Sequence, residues 1–239
     1  MDLVSFYDDY WRQADDTFDH ERLDLLASRV RRGERVLEVD CGPGVLASKM
    51  RERGAEVQAT EISTVAAERA QAKGIPTQHV NTERDSLPFP DGAFDVVVSN
   101  SMIEHRFFYE RSLDECVRVL RPGGRLLLCL PNIAHWKCRL WLLMGRFPYV
   151  KNSPTDFLHL RFFTVGEVRR LLAARGVRVV EVDGSASLWA QDFYGPFFRH
   201  PWVHRAYAWA VHRLPSLLAR DFVVVGMKTG GVSRPSGDV

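Results

Sequence analysis

Short apolar runs alternate with amphipathic ones along most of the chain. RVLEV (35–39) is a compact β-branched run, followed by Gly42-Pro43-Gly44 and a helical pattern over about 45–53. AEVQAT (55–60) reads as a second strand, with a helix over about 63–73 stopped at Lys73-Gly74. TQHV (77–80) is a short third strand, and FDVVVS (94–99), opened by the turn Pro90-Asp91-Gly92, is a fourth. SLDECVRVL (112–120) repeats its apolar positions at helical spacing and ends at Pro122-Gly123-Gly124, before the fifth strand RLLLCL (125–130). Continuously apolar strands with helices between them are the pattern of a parallel sheet buried on both faces. The alternation implies right-handed crossovers and an open, doubly wound α/β sheet.

Beyond residue 131 the rhythm changes. A loop-rich aromatic stretch (131–163) precedes the helix TVGEVRRLLAARG (164–176) and the strand VRVVEVD (177–183). A second insert (184–220) leads to a seventh strand, DFVVVGMK (221–228), and a Gly/Ser/Pro tail (229–239) expected to be disordered. Few residues between the last two strands suit a packed crossover helix, so an antiparallel last strand is expected at the sheet edge. At the other end, SFYDDYW and the pattern Leu23, Leu25, Leu26, Val30 suggest cap helices over residues 1–30. The whole of 1–239 is expected to form one domain.

Composition narrows the class without giving a function. Across 239 residues, 46% hydrophobic and 26% charged describe an ordinary globular protein and exclude disorder or a collagen-like repeat. A net charge of +2 is too small to suggest nucleic-acid binding, and the 27 Arg and 5 Lys are scattered. Cys41, Cys116, Cys129 and Cys138 form no C-x-x-C pair, so neither a disulfide framework nor a zinc site is indicated and a reducing cytoplasm is the default setting. No apolar run reaches the ~18 residues of a membrane span, and the acidic start lacks the order of a secretory signal. Oligomeric state is left open.

The sharpest chemical signal is VLEVDCGPG, Val36 to Gly44. A strand ending in a glycine turn that feeds a helix puts backbone N–H groups and a helix N-terminus at the carboxyl edge of the sheet. Glu61 ends the second strand about twenty residues on, where a carboxylate can accept ribose hydroxyls. The plainer reading makes Gly42 and Gly44 turn glycines and Glu61 a solvated strand end. The pairing of the loop with Glu61 and with LPFPDGAFDVV argues against it.

With these residues in view, the chain resembles the class I S-adenosylmethionine-dependent methyltransferases, with their Rossmann-like, mostly parallel seven-stranded sheet. VLEVDCGPG is similar to their first motif, ATEIS to their second, NTERDSLPFPDGAFDVVVSNSMIEH to their third and fourth, and VLRPGGRLLLCLPN to their fifth. PNIAHWKCRLWLLMGRFPY and HLRFFT resemble the small-molecule branch that includes MetW-type proteins. A nicotinamide-dependent oxidoreductase is disfavoured by the GxG spacing and the RPGG turn.

The resemblance implies S-adenosylmethionine as cofactor. Glu38, Gly42 and Gly44 would hold its methionine end, Glu61 its ribose, Ile62 its adenine face, and Asn81 and Thr82 the adenine edge, with Ser99 and Asn100 beside the methyl group. Two positions depart from the family. Asp40 stands where the loop has its first glycine, so it either crowds the cofactor carboxylate or faces the ammonium. Asn81 stands where an acidic residue is usual, and its amide oxygen can still accept from an adenine amino group.

Methyl transfer from a sulfonium is an in-line displacement, so alignment and removal of the acceptor proton are the enzyme's tasks. His105, Glu104, His135 and His159 are the candidate bases, with His105 and His135 placed as the catalytic pair. Tyr10, Trp11, His135, Trp136, His159 and Arg161 are candidate contacts to a small, partly apolar acceptor, and the segments 131–163 and 184–220 would form its side of the site. The basic-aromatic stretch HPWVHRAYAWAVHRLPSLLAR would also suit a membrane surface, but Pro215 interrupts it. No D-x-x-N-D-like or His/Cys cluster is visible, so metal-free chemistry is expected. The competing reading is a binding or partner protein on the same fold, its catalysis lost to Asp40.

Overall fold

The protein is described from a computed structural model covering residues 2–14, 17–190 and 192–230. Two helices precede the sheet: α1 (Leu3–Gln13), capped by the Asp2 carboxylate on Ser5 N, and α2 (His20–Ala27), capped by Asp19 on Arg22 N. Alternation then runs β1 (Arg35–Val39), α3 (Val45–Glu52), β2 (Glu56–Glu61), α4 (Thr64–Ala72), β3 (Thr77–His79) and β4 (Phe94–Asn100). A 3-10 turn (Ile103–His105) leads into α5 (Tyr109–Val119) and β5 (Leu120–Pro131). The remainder is α6 (Trp136–Leu143), α7 (Val165–Ala173), β6 (Val177–Ser185), α8 (Pro201–Arg213), α9 (Pro215–Leu218) and β7 (Asp221–Lys228).

Among the described residues seven strands form one sheet in the order β3-β2-β1-β4-β5-β7-β6. The first five pair in parallel, and β7 runs antiparallel to both β5 and β6. The expected antiparallel strand is there, but not for want of a helix: α8 packs on β6 within the intervening segment. Pro215, which interrupts the helical pattern of that stretch, starts α9, where its missing N–H costs nothing. The expected disorder of 231–239 lies outside the described residues. Thr229, assigned to that tail, is tied down instead, its N and Oγ1 each 2.8 Å from the Gly176 carbonyl.

The period-2 alternation of the strands divides the core. Leu37, Val39, Val97, Leu126, Leu128 and Val224 face α5 and α7, while Val36, Val96, Val98, Leu127, Cys129 and Val223 face α2 and α3. A third cluster, with Cys138, Phe193, Tyr194, Tyr207 and Val211, is built by the two inserts beside the sheet. Arg220 fastens the parts together: fully buried, it pairs with Asp19 at the cap of α2 and with Asp221, and its carbonyl accepts from Asn132 N at 2.8 Å. No helix among the described residues is long and apolar enough to cross a membrane.

Candidate functional site

The carboxyl ends of β1, β2 and β4 lie side by side, and the glycine loop leaves β1 there. Asp40, Gly42 and Gly44 all hold positive φ, at 53°, 53° and 72°. A Cβ at Gly44 would stand 2.8 Å from the Ala70 Cβ, so this glycine lets the loop approach α4 closely. A Cβ at Gly42 would stand 2.8 Å from Trp11 Cζ2, because α1 lays its indole directly on the loop. Tyr10 meets that indole edge-on at 5.2 Å and is itself largely exposed. The helix is anchored by the Asp8 carboxylate, which accepts from Ser63 Oγ (2.6 Å) and Val65 N (3.2 Å).

Asp40 is held neither against a loop amide nor in solvent. Its carboxylate pairs with the guanidinium of Arg106, a buried residue next to the Glu104-His105 dipeptide, and accepts from Thr82 Oγ1 at 3.3 Å. The Arg106 guanidinium also lies 5.8 Å from the Tyr7 ring centroid. Arg106 is not singled out by the sequence pattern, and Tyr7 enters it only as part of the aromatic run SFYDDYW. Arg106 sits immediately after the IEH tripeptide, and an unpaired aspartate in the glycine loop is the signal that a cation should be sought.

Glu61 is 3% exposed and accepts from three loop amides: Gly42 N (2.7 Å), Ile62 N (3.0 Å) and Ser63 N (2.9 Å). A carboxylate has about four acceptor sites, so one is left for a hydroxyl. Burial, reinforced by the Asp40 charge, raises its pKa well above the usual carboxylate range. Burial likewise pushes the Glu38 carboxyl up to about 8, against the pull of the Ala47 amide. Glu38 Oε2, Asp40 Oδ1, Thr60 Oγ1, Ser99 Oγ and Asn100 Oδ1 are all buried without a hydrogen-bond partner. Other such atoms lie on arginines and on Glu104, but these five sit at the carboxyl ends of three adjacent strands, which fits a site that completes its hydrogen bonding with a polar ligand. Asn81 spends its amide oxygen on an Asx turn to Glu83 N (3.1 Å), and Ile62 is buried.

The candidate bases separate. His135 is fully buried: its Nδ1 accepts from Lys137 N (3.1 Å) to cap α6, and its ring packs at a tilt against Phe193, 4.9 Å between centroids. Burial lowers its pKa to about 3. It is a helix cap in the insert core, and Trp136 packs beside it with ring centroids 5.7 Å apart. His105 is different. Its Nδ1 lies 3.1 Å from the Leu158 carbonyl and its Nε2 lies 3.9 Å from Glu104 Oε1. Burial, with His159 adding to it, lowers its pKa to about 4 and keeps the ring neutral.

His159 joins this group through the main chain. Leu160 N and Arg161 N both donate to the Glu104 carbonyl, at 2.8 and 3.0 Å, bringing the two imidazoles to 4.9 Å between centroids. Arg161 itself turns away, donating to the Phe107 carbonyl at 2.9 Å and covering that ring. One donor atom from each of Glu104, His105 and His159 lies within 4.8 Å of the others. The sequence reading expects no such cluster, because His159 is more than fifty residues from its partners.

A glycine loop on β1, an acidic end to β2 and a polar, partner-seeking end to β4 define a nucleotide-type site at the carboxyl edge of a doubly wound sheet. The family model described as a methyltransferase domain matches residues 10–182, and the chain belongs to that family, within the class I S-adenosylmethionine-dependent methyltransferases. S-adenosylmethionine is the cofactor of the class. A demethylmenaquinone methyltransferase of Thermus thermophilus is 38% identical over 101 residues, 40% of this chain and 46% of that protein. A ubiquinone biosynthesis O-methyltransferase of Aeromonas salmonicida is 30% identical over 159 residues, 64% of this chain and 66% of that protein. The matches thus span about half to two-thirds of those relatives' own length. The fold is shared with the magnesium protoporphyrin IX methyltransferase of Synechocystis PCC 6803, solved with bound SAH (TM-score 0.65, 14% identity, 95% of this chain and 98% of that one).

Proposed function

We propose that the protein transfers a methyl group from S-adenosylmethionine to an oxygen or nitrogen of a small, partly apolar molecule. The observation that carries this reading is the set of unpartnered buried oxygens at the ends of β1, β2 and β4, together with a histidine, His105, whose Nδ1 bond to the Leu158 carbonyl leaves the lone pair on Nε2. Glu38, Asp40, Gly42 and Gly44 would hold the methionine end, the spare acceptor site of Glu61 a ribose hydroxyl, and Ile62, Asn81 and Thr82 the adenine. When bound, the cofactor supplies an electrophilic methyl group. Ser99 and Asn100 orient the reacting groups, and Trp11 and Tyr10 help exclude water.

With Nδ1–H given to Leu158, the Nε2 lone pair of His105 takes the acceptor proton. The two quinone-pathway relatives favour a ring-bearing acceptor with an apolar tail, and the insert segments 131–163 and 184–220 would receive it. Four free, buried cysteines and a net charge of +2 support a cytoplasmic setting and a small-molecule rather than nucleic-acid partner.

Thermal unfolding tests the cofactor half. Adenosylhomocysteine at about 100 times its Kd should stabilise the fold by about 2.7 kcal/mol and raise Tm by roughly 5–10 °C. NAD should not. Transfer of labelled methyl to phenolic and amine acceptors with apolar tails tests the other half, and a protein that binds adenosylhomocysteine yet methylates none of them leaves the acceptor class wrong.

A second reading, a weakly catalytic partner protein, is favoured by one observation: the Asp40–Arg106 pair at the position of the first loop glycine. Asp40→Gly separates the two. If the pair is an adaptation that the enzyme uses, the glycine form gains no turnover and loses stability, since Arg106 is left buried and unpaired at a cost of about 3 kcal/mol. A glycine form with higher turnover and tighter cofactor binding favours the partner reading.

A further inference from the structure

We propose that Glu104, His105 and His159 bind a divalent transition-metal cation at the acceptor side of the site. The inference rests on the functional reading above only for the cation's use, not for its binding. Three features of the geometry carry it. First, the Glu104 side chain is 1% exposed and neither carboxyl oxygen makes a hydrogen bond of ordinary geometry, with the Arg22 charge and the Ser101 hydroxyl its near neighbours. A buried carboxyl is paired, coordinates a metal, or keeps a proton that an arriving cation displaces.

Second, both imidazoles are turned the same way. His105 Nδ1 bonds the Leu158 carbonyl (3.1 Å) and His159 Nδ1 the Pro154 carbonyl (3.3 Å). A carbonyl can only accept, so the proton is on Nδ1 in each ring and the lone pair is on Nε2. That is how metal-ligating histidines are oriented, by a second hydrogen bond that fixes the tautomer.

Third, the loop that delivers His159 is built to hold its shape. The Asp156 carboxylate accepts from Asn152 N (2.6 Å) and Leu158 N (3.0 Å), and the two main-chain bonds to the Glu104 carbonyl clamp its far end. Donor atoms of a tetrahedral zinc site stand about 3.3 Å apart. From a set within 4.8 Å, rotation of the side chains by about 1 Å closes the cluster.

Two neutral imidazoles and one carboxylate suit zinc, iron or manganese better than magnesium or calcium, which take oxygen ligands. Three protein ligands leave a position open, as in catalytic rather than structural sites. A cation there holds an oxygen of the acceptor. His105 then acts as a ligand, in place of the proton acceptor it is in the metal-free protein.

The test uses the untagged full chain. Co2+ is titrated and followed by its visible absorption, and Zn2+ is added in competition with a coloured chelator. One cation per chain is expected. Glu104→Gln and His159→Ala should each weaken binding at least about tenfold, while the adenosylhomocysteine-induced rise in Tm persists as proof that the fold and cofactor cradle are intact. His200→Ala, on exposed surface, should change nothing. The proposal is overturned if the wild-type chain takes up no cation, or if the Glu104 and His159 variants bind as well as wild type. Loss of adenosylhomocysteine binding with cation uptake retained sinks the cofactor reading instead.

Discussion

Glu38 shows what a single buried residue does to the pH response of the molecule. Folded, its carboxyl keeps a proton up to about pH 8, whereas in the unfolded chain it ionises near 4.5. Folding therefore takes up a proton between those values, so the stability linked to this group is full below pH 4.5 and is lost as pH rises toward 8. Glu61 is shifted in the same direction. Under the proposed function the cofactor's ammonium favours the charged carboxylates, so cofactor binding releases protons and tightens as pH rises. Between about pH 6 and about pH 8.5 the Tm of the free protein should fall while the shift induced by S-adenosylmethionine grows. Glu38→Gln should flatten both trends. A free-protein Tm that is level across that window in the wild type would show that Glu38 ionises normally. At this scale the sequence exposes Asp40 as an anomaly but not its remedy, because Arg106 is sixty-six residues away.

The glycine loop and α1 act as one unit, joined by the contact between Gly42 and Trp11. Gly42→Ala meets two obstacles: φ of 53°, which costs an L-residue about 1 kcal/mol, and a Cβ position 2.8 Å from the indole. Removing the indole relieves only the second. Chemical denaturation of Gly42→Ala, Trp11→Ala and the double variant should therefore reveal a coupling of about 1 kcal/mol. Simple additivity would mean that α1 does not rest on the loop in solution. The strands β1, β2 and β4 are legible because each buries apolar residues between punctuating glycines and prolines, whereas β3 buries only Thr77 and is read from its place after Lys73-Gly74. β5 begins earlier than its apolar core suggests, at Leu120, since the Pro122-Gly123-Gly124 turn is absorbed into a strand with an irregular register against β4. The helix α6 leaves little periodic signal: it has apolar residues nearly all round, and His135 rather than a conventional capping residue starts it.

Across the whole molecule, Arg220 links parts that are remote in sequence: the α2 cap through Asp19, the segment after β5 through Asn132, and β7 through Asp221. Arg220→Ala removes the buried guanidinium between two carboxylates and leaves Asp221 with only Arg22, at 3.8 Å, and Asp19 with its bond from Arg22 N. It should destabilise the protein by about 3 kcal/mol and lower Tm by about 10 °C, read by calorimetry. A shift within experimental error would mean that water reaches both carboxylates and that the inserts dock independently of the sheet. The alternation of apolar and amphipathic runs already determined the doubly wound sheet, its glycine loop and the acidic end of β2, because those features follow from periodicity and local backbone sterics. Only the tertiary structure decided which charges and imidazoles meet. Arg106 answers Asp40, His159 joins Glu104 and His105, and His135 caps α6 within the insert core. Contacts between segments fifty or more residues apart depend on how loops return to the sheet edge, and no local pattern in the chain encodes that return.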